Sequence, residues 1–177
     1  MPTIWTIGHS NRSIDEFLDL LAGEAIELVA DIRRFPASRA HPHFNADALV
    51  DAIVRQNFFY RHFAGLGGRR STRLANSPNT GWRVDSFKRY ADYMTTDEFA
   101  AALAELTAAA AEHRTALMCS EAVPWRCHRR LVSDALIVRG WEVRDIIGKG
   151  PAKPRALTPF AQVADGQITY PSVASPA

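Results

Sequence analysis

Short apolar segments alternating with amphipathic helical ones predict a single three-layer α/β domain. Its sheet is expected to be mostly parallel and five-stranded, with helices on both faces. Two bulk properties agree with this class. A chain of 177 residues buries one good core and is too short for two ordinary domains. A hydrophobic share of 47% against 23% charged is that of a globular protein, not a disordered one. The domain is expected over residues 1–150. Residues 151–177, where Pro, Gly and Ala dominate, are expected to form a loosely packed C-terminal tail.

The elements follow in chain order. Residues 3–8 are an apolar run ending in Gly8, a buried first strand. Ser13-Ile-Asp-Glu16 is a capping-box pattern that opens a helix carrying Phe17, Leu18 and Leu21 and ending near Gly23. Residues 26–32 give the second strand, followed by a loop with Pro36 and Pro42. Asn45 can cap a helix bearing Leu49, Val50, Ile53 and Val54, and residues 58–62 give the third strand. A long polar stretch over 64–84 holds Gly65, Gly67, Gly68, Pro78 and Gly81; loops of that length are usually functional or mobile. Helices are expected near 85–94 and 96–113, the second opening on the capping box Thr95-Thr-Asp-Glu98. Residues 116–120 are the fourth strand, about 126–139 the next helix, and 142–147 the fifth strand.

Composition limits the function classes. No apolar run approaches the ~20 residues that span a bilayer, so no membrane partner is expected. The first residues read as a strand and not as a signal peptide. Two cysteines, Cys119 and Cys127, cannot build a secreted disulfide scaffold, which points to a reduced, cytoplasmic setting. The net charge of +2 is not that of a generally basic nucleic-acid binder. The basic residues are unevenly placed, however. Of the 21, 18 are Arg, and between Arg55 and Arg89 eight bases face a single acid, Asp85. Trp82, Phe87 and Tyr90 interleave with them, a combination that serves phosphate contact and base stacking and also describes a solvated Arg-rich loop.

In open parallel sheets ligands bind outside the carboxyl ends of the strands. The segments after strands one, two and four are therefore expected to converge, and each is rich in reactive side chains. His9 and Ser10 offer an imidazole and a hydroxyl. Asp31 and Arg33 can pair with each other or face ligand. In Cys119-Ser-Glu121, the carboxylate just past an apolar strand needs a partner, which Arg126, Arg129 or Arg130 can supply. Cys127 and His128 are expected in the first turn of the following helix, where the N-terminal field favours a thiolate. Gly67, Gly68 and Arg69 let backbone and guanidinium approach an anion. Glu121, His9, Cys119 and His128 are the catalytic candidates. Ser10, Asp31, Arg33, Gly67, Gly68, Arg69, Cys127 and Arg129 are the candidates for holding substrate or anion.

The sequence argues against several sharper readings. A phosphatase loop needs Cys-x5-Arg, but six residues separate Cys119 from Arg126. Structural zinc needs two close-spaced ligand pairs, and no second pair exists. No GxGxxG follows the first strand, so the dinucleotide fingerprint is absent and no cofactor is assigned.

Thr6-Ile-Gly-His-Ser10, Asp31-Ile-Arg-Arg-Phe-Pro-Ala-Ser38, Leu66-Gly-Gly68 after Tyr60, and Cys119-Ser-Glu with Cys127-His-Arg129 occur together and in order. In these the chain resembles the domain-of-unknown-function 488 family of bacterial and archaeal proteins, over about residues 3–147 plus the Leu157-Thr-Pro-Phe160 segment. The resemblance implies a compact α/β fold and an intracellular protein, and it implies no reaction. Where many relatives end the last strand with His, this chain carries Asp145. The expectation is an enzyme acting on a phosphate-bearing substrate, a nucleotide or nucleic acid, at a strand-end site centred on Glu121 and Arg129. Two alternatives stand beside it: a non-catalytic nucleic-acid-binding or regulatory module using the 55–90 surface, and a metal- or thiol-dependent redox protein.

Overall fold

The computed structural model describes residues 1–173. Its strands are β1 (Thr3–Gly8), β2 (Leu28–Asp31), β3 (Phe59–His62), β4 (Thr115–Cys119), β5 (Glu142–Ile146), β6 (Lys153–Pro154), β7 (Gln162–Ala164) and β8 (Gln167–Thr169). Its α-helices are α1 (Ile14–Gly23), α2 (Ala46–Arg55), α3 (Asp85–Tyr93), α4 (Asp97–Glu112) and α5 (Arg129–Val138). Six strands form one sheet in the order β3-β2-β4-β1-β5-β6, with every pairing parallel except β5 with β6. The three-layer α/β class stands, with one strand more than expected. Among the described residues no helix is long and apolar enough to cross a membrane.

Strand alternation sorts the core into two halves. Trp5, Ile7, Val29, Ala116 and Met118 face one side, packed with Phe17 and Leu21 of α1 and Leu49 and Ile53 of α2. Ile4, Ala30, Leu117 and Cys119 face the other, against α3, α4 and α5. Cys119 therefore points towards α5, the helix that carries Arg129. The central strands β1, β2 and β4 are buried along nearly their whole length, as a sheet covered on both faces requires.

Four local expectations change. The sixth strand is two residues long and contains Pro154, which has no N–H to donate, so it sits at the sheet edge and has no sequence signature. The small hairpin β7–β8 turns on Asp165 and Gly166, both at positive φ, the geometry of a two-residue type I′ turn. Helix α5 begins at Arg129 rather than 126. A 3₁₀ turn over Pro124–Arg126 precedes it, and Cys127 is extended, so Cys127 and His128 stand before the helix and not in its first turn.

Among the described residues, the mostly exposed segment after 150 is anchored at a few points. The amide of Ala152 donates to Glu24 at 2.6 Å, and that of Thr158 to Asp134 at 3.0 Å. The side chain of Tyr170 is fully buried beside Trp82 and Phe160, with its hydroxyl donating to Asp134 at 2.9 Å. Two aromatics, Phe160 and Tyr170, spaced among small residues give little sequence signal, yet both pack against Trp82 and hold the segment down. The long 64–84 loop is likewise tied down, with Asp92 as one of its anchors. The Asp92 carboxylate accepts from the Leu74 amide at 3.0 Å, Ser77 Oγ at 2.5 Å and Asn79 Nδ2 at 2.8 Å. Burial raises the Asp92 pKa, but these donors, with Lys88 nearby, outweigh burial and hold the carboxyl below its ordinary range.

Candidate functional site

The carboxyl ends of β1, β2 and β4 meet as expected, because the backbone there approaches very closely. A Cβ on Gly8 would lie 1.7 Å from the Glu121 carbonyl oxygen, so only glycine fits. The amides of His9 and Ser10 continue the ladder to the carbonyls of Cys119 and Ser120, at 2.9 and 3.0 Å. The Ile32 amide donates to the Met118 carbonyl at 3.0 Å. Beside this junction lies a cavity of about 370 Å³, walled by residues 33–35, Gly68 and Arg69, Cys119–Glu121 and Arg126–His128.

Arg33 and Asp31 pair with each other. Asp31 is fully buried and accepts from the Arg33 amide, Nε and Nη2 at 3.0, 2.9 and 2.7 Å, and from the Tyr60 hydroxyl at 2.6 Å. Its acceptor positions are filled, so it holds Arg33 against the cavity wall and is not free for ligand. Arg33 Nη1 donates to the Phe44 carbonyl at 2.7 Å. His9 is only 2% exposed and stacks on Phe44 with ring centroids 4.3 Å apart. Its Nδ1 donates to the Ser10 carbonyl at 2.9 Å, leaving Nε2 as the acceptor facing Arg33 Nη1 at 3.4 Å. Burial, helped by the Arg33 charge, holds the His9 pKa down at about 4. The ring is neutral, braces Arg33 and does not line the cavity. Ser10, at positive φ, turns its hydroxyl to Asn11 on the surface.

The glycines of the 64–70 segment serve close approach. A Cβ on Gly67 would meet the Arg34 backbone at 2.5 Å, and one on Gly68 would meet His128 Nδ1 at 3.0 Å. The Gly67 amide donates to the Ala64 carbonyl and is not available to an anion. Gly68 and Arg69 line the cavity, and the Arg69 carbonyl accepts from Arg34 Nη1 at 2.6 Å. The side chains of Arg69 and Arg126, both exposed, have no hydrogen-bond or ion-pair partner among the described residues. Phe35, 63% exposed, stands beside them at the mouth.

Glu121 lies on the cavity wall but is exposed, and its carboxylate has no partner among the described residues. The expected Glu–Arg pair does not form, because Arg129 turns inward. Arg129 is 0% exposed and reaches the Glu121 carbonyl at 2.5 Å, Thr6 Oγ1 at 3.4 Å and Cys127 Sγ at 3.2 Å. Asp145 stands one residue further out. It accepts from Thr6 Oγ1 at 2.7 Å and pairs with Arg155 at 2.7 Å. Arg130 instead packs over Trp82 and donates to Thr158.

Cys119 and Cys127 are both buried and free, with sulfurs 3.0 Å apart. Burial drives the Cys119 thiol well above its ordinary pKa, and the adjoining Cys127 adds to this. Burial acts the same way on Cys127, but there the Cys119 hydrogen bond and Arg129 outweigh it and hold the thiol well below its ordinary value. The Arg129 amide and Nε both donate to Cys127 Sγ, at 3.3 and 3.2 Å, so of the two sulfurs Cys127 is the one placed to carry negative charge. His128 Nε2 donates to the Ile32 carbonyl at 2.8 Å, and burial lowers its pKa. Its ring is neutral, with Nδ1 unprotonated and without a partner among the described residues. Among these residues no three His, Cys, Asp or Glu side chains gather into a metal-binding group.

Of His9, Arg33, Glu121 and Arg129, only Arg33 and Glu121 line the cavity; His9 and Arg129 stand behind its wall. Much of the 55–90 basic stretch is internally satisfied. Arg61 pairs with Glu105, Arg70 with Glu98, and Arg73 and Arg89 with Asp85. Trp82 and Tyr90 are buried and offer no face to a base. Residues absent from the candidate list are Thr6, Arg34, Phe35, Tyr60 and Arg126. Thr6 carried one signal, a polar side chain in an otherwise apolar strand.

A family model described as "Domain of unknown function DUF488" matches residues 13–136. No curated protein and no solved structure matches the chain.

Proposed function

The chain belongs to the DUF488 family, and from that premise we propose that it is an enzyme acting on a phosphate-bearing substrate, a nucleotide, at the strand-end cavity. One observation carries the reading. Arg34, Arg69 and Arg126 ring a cavity whose only acidic lining residue is Glu121, and none of the three has a carboxylate partner among the described residues. Guanidinium groups without a carboxylate partner around a concavity are suited to a multiply charged anion, which they grip through N–H donors. Arg33, already neutralised by Asp31, shapes the wall without adding net charge. The exposed Phe35 ring at the mouth provides a stacking face for a base.

The cavity also holds groups that can move a proton. Glu121 is an unpaired carboxylate at the wall. The neutral His128 carries an unshared pair on Nδ1, and its orientation is fixed by the bond from Nε2 to Ile32. A substrate phosphate on the arginines would bring its sugar or base towards this pair, one acting as base and the other as ligand.

Isothermal titration with nucleoside monophosphates tests the binding half. The wild-type chain is expected to bind them and to bind the parent nucleosides at least tenfold more weakly. The double substitution Arg69→Ala, Arg126→Ala is expected to weaken binding by about tenfold or more, a factor of ten being ~1.4 kcal/mol. Equal affinity for nucleoside and nucleotide would refute the anion site. Turnover separates an enzyme from a binding module: Glu121→Gln should abolish product formation while leaving nucleotide affinity within about twofold. If no wild-type turnover of any bound nucleotide is found, the cavity belongs to a module and not an enzyme.

A further inference from the structure

Arg129 sets an unusual electrostatic problem. A guanidinium with no solvent exposure needs an anion or a full set of acceptors, because an uncompensated buried charge costs several kcal/mol. No carboxylate touches it. Its acceptors are one carbonyl, one hydroxyl and one sulfur, and Asp145, which reaches it through Thr6, is already paired with Arg155. The sulfur of Cys127 is the one group in direct contact that can carry the balancing charge.

We propose that Cys119 and Cys127 form a dithiol–disulfide centre that reduces a hydroperoxide, with Cys127 as the attacking sulfur and Cys119 as the resolving one. The division of roles rests on geometry. Two N–H donors of Arg129 converge on Cys127 Sγ, and none reaches Cys119. Cys119 sits 3.0 Å away, and its remaining contact is the Glu121 carbonyl at 4.0 Å. Forming the bond requires the sulfurs to close by roughly 1 Å, to the ordinary S–S length. Both thiols line the cavity, so a small oxidant can reach them although a bulky one cannot. The direction of both pKa shifts supports the same assignment.

The chemistry balances in two steps. Cys127 thiolate attacks the outer peroxide oxygen and the O–O bond breaks. This gives Cys127 sulfenic acid and an alkoxide or hydroxide, which takes a proton from water. Cys119 sulfur then attacks Cys127 Sγ. The S–S bond forms, the S–O bond breaks, and the departing hydroxide takes the Cys119 proton and leaves as water. The peroxide is reduced by two electrons and the two sulfurs are oxidised by two. A soluble dithiol reverses the second change.

The inference stands on the sulfurs and Arg129 and does not depend on nucleotide binding, which can be measured separately on the fully reduced protein. Hydrogen peroxide is added to the folded, reduced chain, and the products are read by intact mass and peptide mapping. The expected product is an intramolecular Cys119–Cys127 disulfide that dithiothreitol reverses. In Cys119→Ser, dimedone should trap sulfenic acid at Cys127, whereas in Cys127→Ser the remaining Cys119 should react at least tenfold more slowly. The proposal is overturned if both thiols of the wild-type chain resist peroxide until denaturant is added. It is equally overturned if Cys119 is the sulfur that dimedone labels first. The wild-type experiment decides the matter even if a variant fails to fold.

Discussion

His9 shows how a reactive-looking side chain can serve the fold. Stacked on Phe44 and braced against Arg33, with Asp31 and His41 beyond, it stays neutral, its pKa held at about 4 by burial first and the Arg33 charge after it. In the unfolded chain the same imidazole titrates near its ordinary 6.5. Between those values the unfolded state binds a proton that the native state refuses, so stability is full above pH 6.5 and falls as the pH drops towards 4. The loss from this one group is roughly 3 kcal/mol in total, at ~1.4 kcal/mol per pKa unit, with about 2 kcal/mol of it gone by pH 5. Urea titrations at pH 7.5 and pH 5 should show that drop in the wild-type chain and a smaller one in His9→Gln; parallel curves would remove His9 as the cause. The sequence placed His9, Arg33, Cys119 and Glu121 at the right ends of the right strands, because continuous apolar runs and the strand-end rule need only local letters. It misjudged Glu121, which is exposed and unpaired. The reason is that a buried arginine can be satisfied by a carbonyl, a hydroxyl and a sulfur distant along the chain, and no local pattern reveals such acceptors.

Helix ends were legible to within a residue or two except at the start of α5, three residues late, and the discrepancies have causes. The Thr95–Glu98 pattern announces α4, but the residue that caps it is Thr96, whose Oγ1 accepts from the Phe99 amide at 3.2 Å and also donates to Tyr93 at 2.7 Å. Thr96→Ala is therefore expected to cost about 1 kcal/mol, and Thr96→Ser to retain most of the cap; equal thermal shifts for the two would contradict the assignment. Asn45 precedes α2 as expected, yet its Oδ1 accepts from the Ser38 amide at 2.6 Å instead of capping the helix. There the side chain closes the two-proline loop, a competing use that spacing does not distinguish. At the start of α5 the extended backbone of Cys127 delays the helix to Arg129. That delay lets the Arg129 amide, unclaimed at a helix start, point at the Cys127 sulfur.

At the scale of the molecule, the described residues after Gly150 are tied to the folded core through Tyr170. Tyr170 fills a space between Trp82 and Phe160, and its amide and carbonyl bond Asn79 and Gly81, tying the segment to the 64–84 loop. Truncation after Gly150 would open a cavity where Tyr170 sat and strip Asp134 of its partners. Removing a buried aromatic alone costs roughly 3–5 kcal/mol, so the shortened chain should melt well below the full one and bind a hydrophobic dye. A melting temperature within about two degrees of the intact protein would show the segment to be dispensable. The strand order has a consequence during synthesis. β4 lies between β1 and β2 although it leaves the ribosome after both. Until Thr115–Cys119 emerges, the two earlier strands cannot join, and each offers an open edge to neighbouring chains. Insertion of β4 closes both edges, and it also carries Cys119 into place. A nascent chain therefore has no assembled thiol pair before β4 has joined β1 to β2.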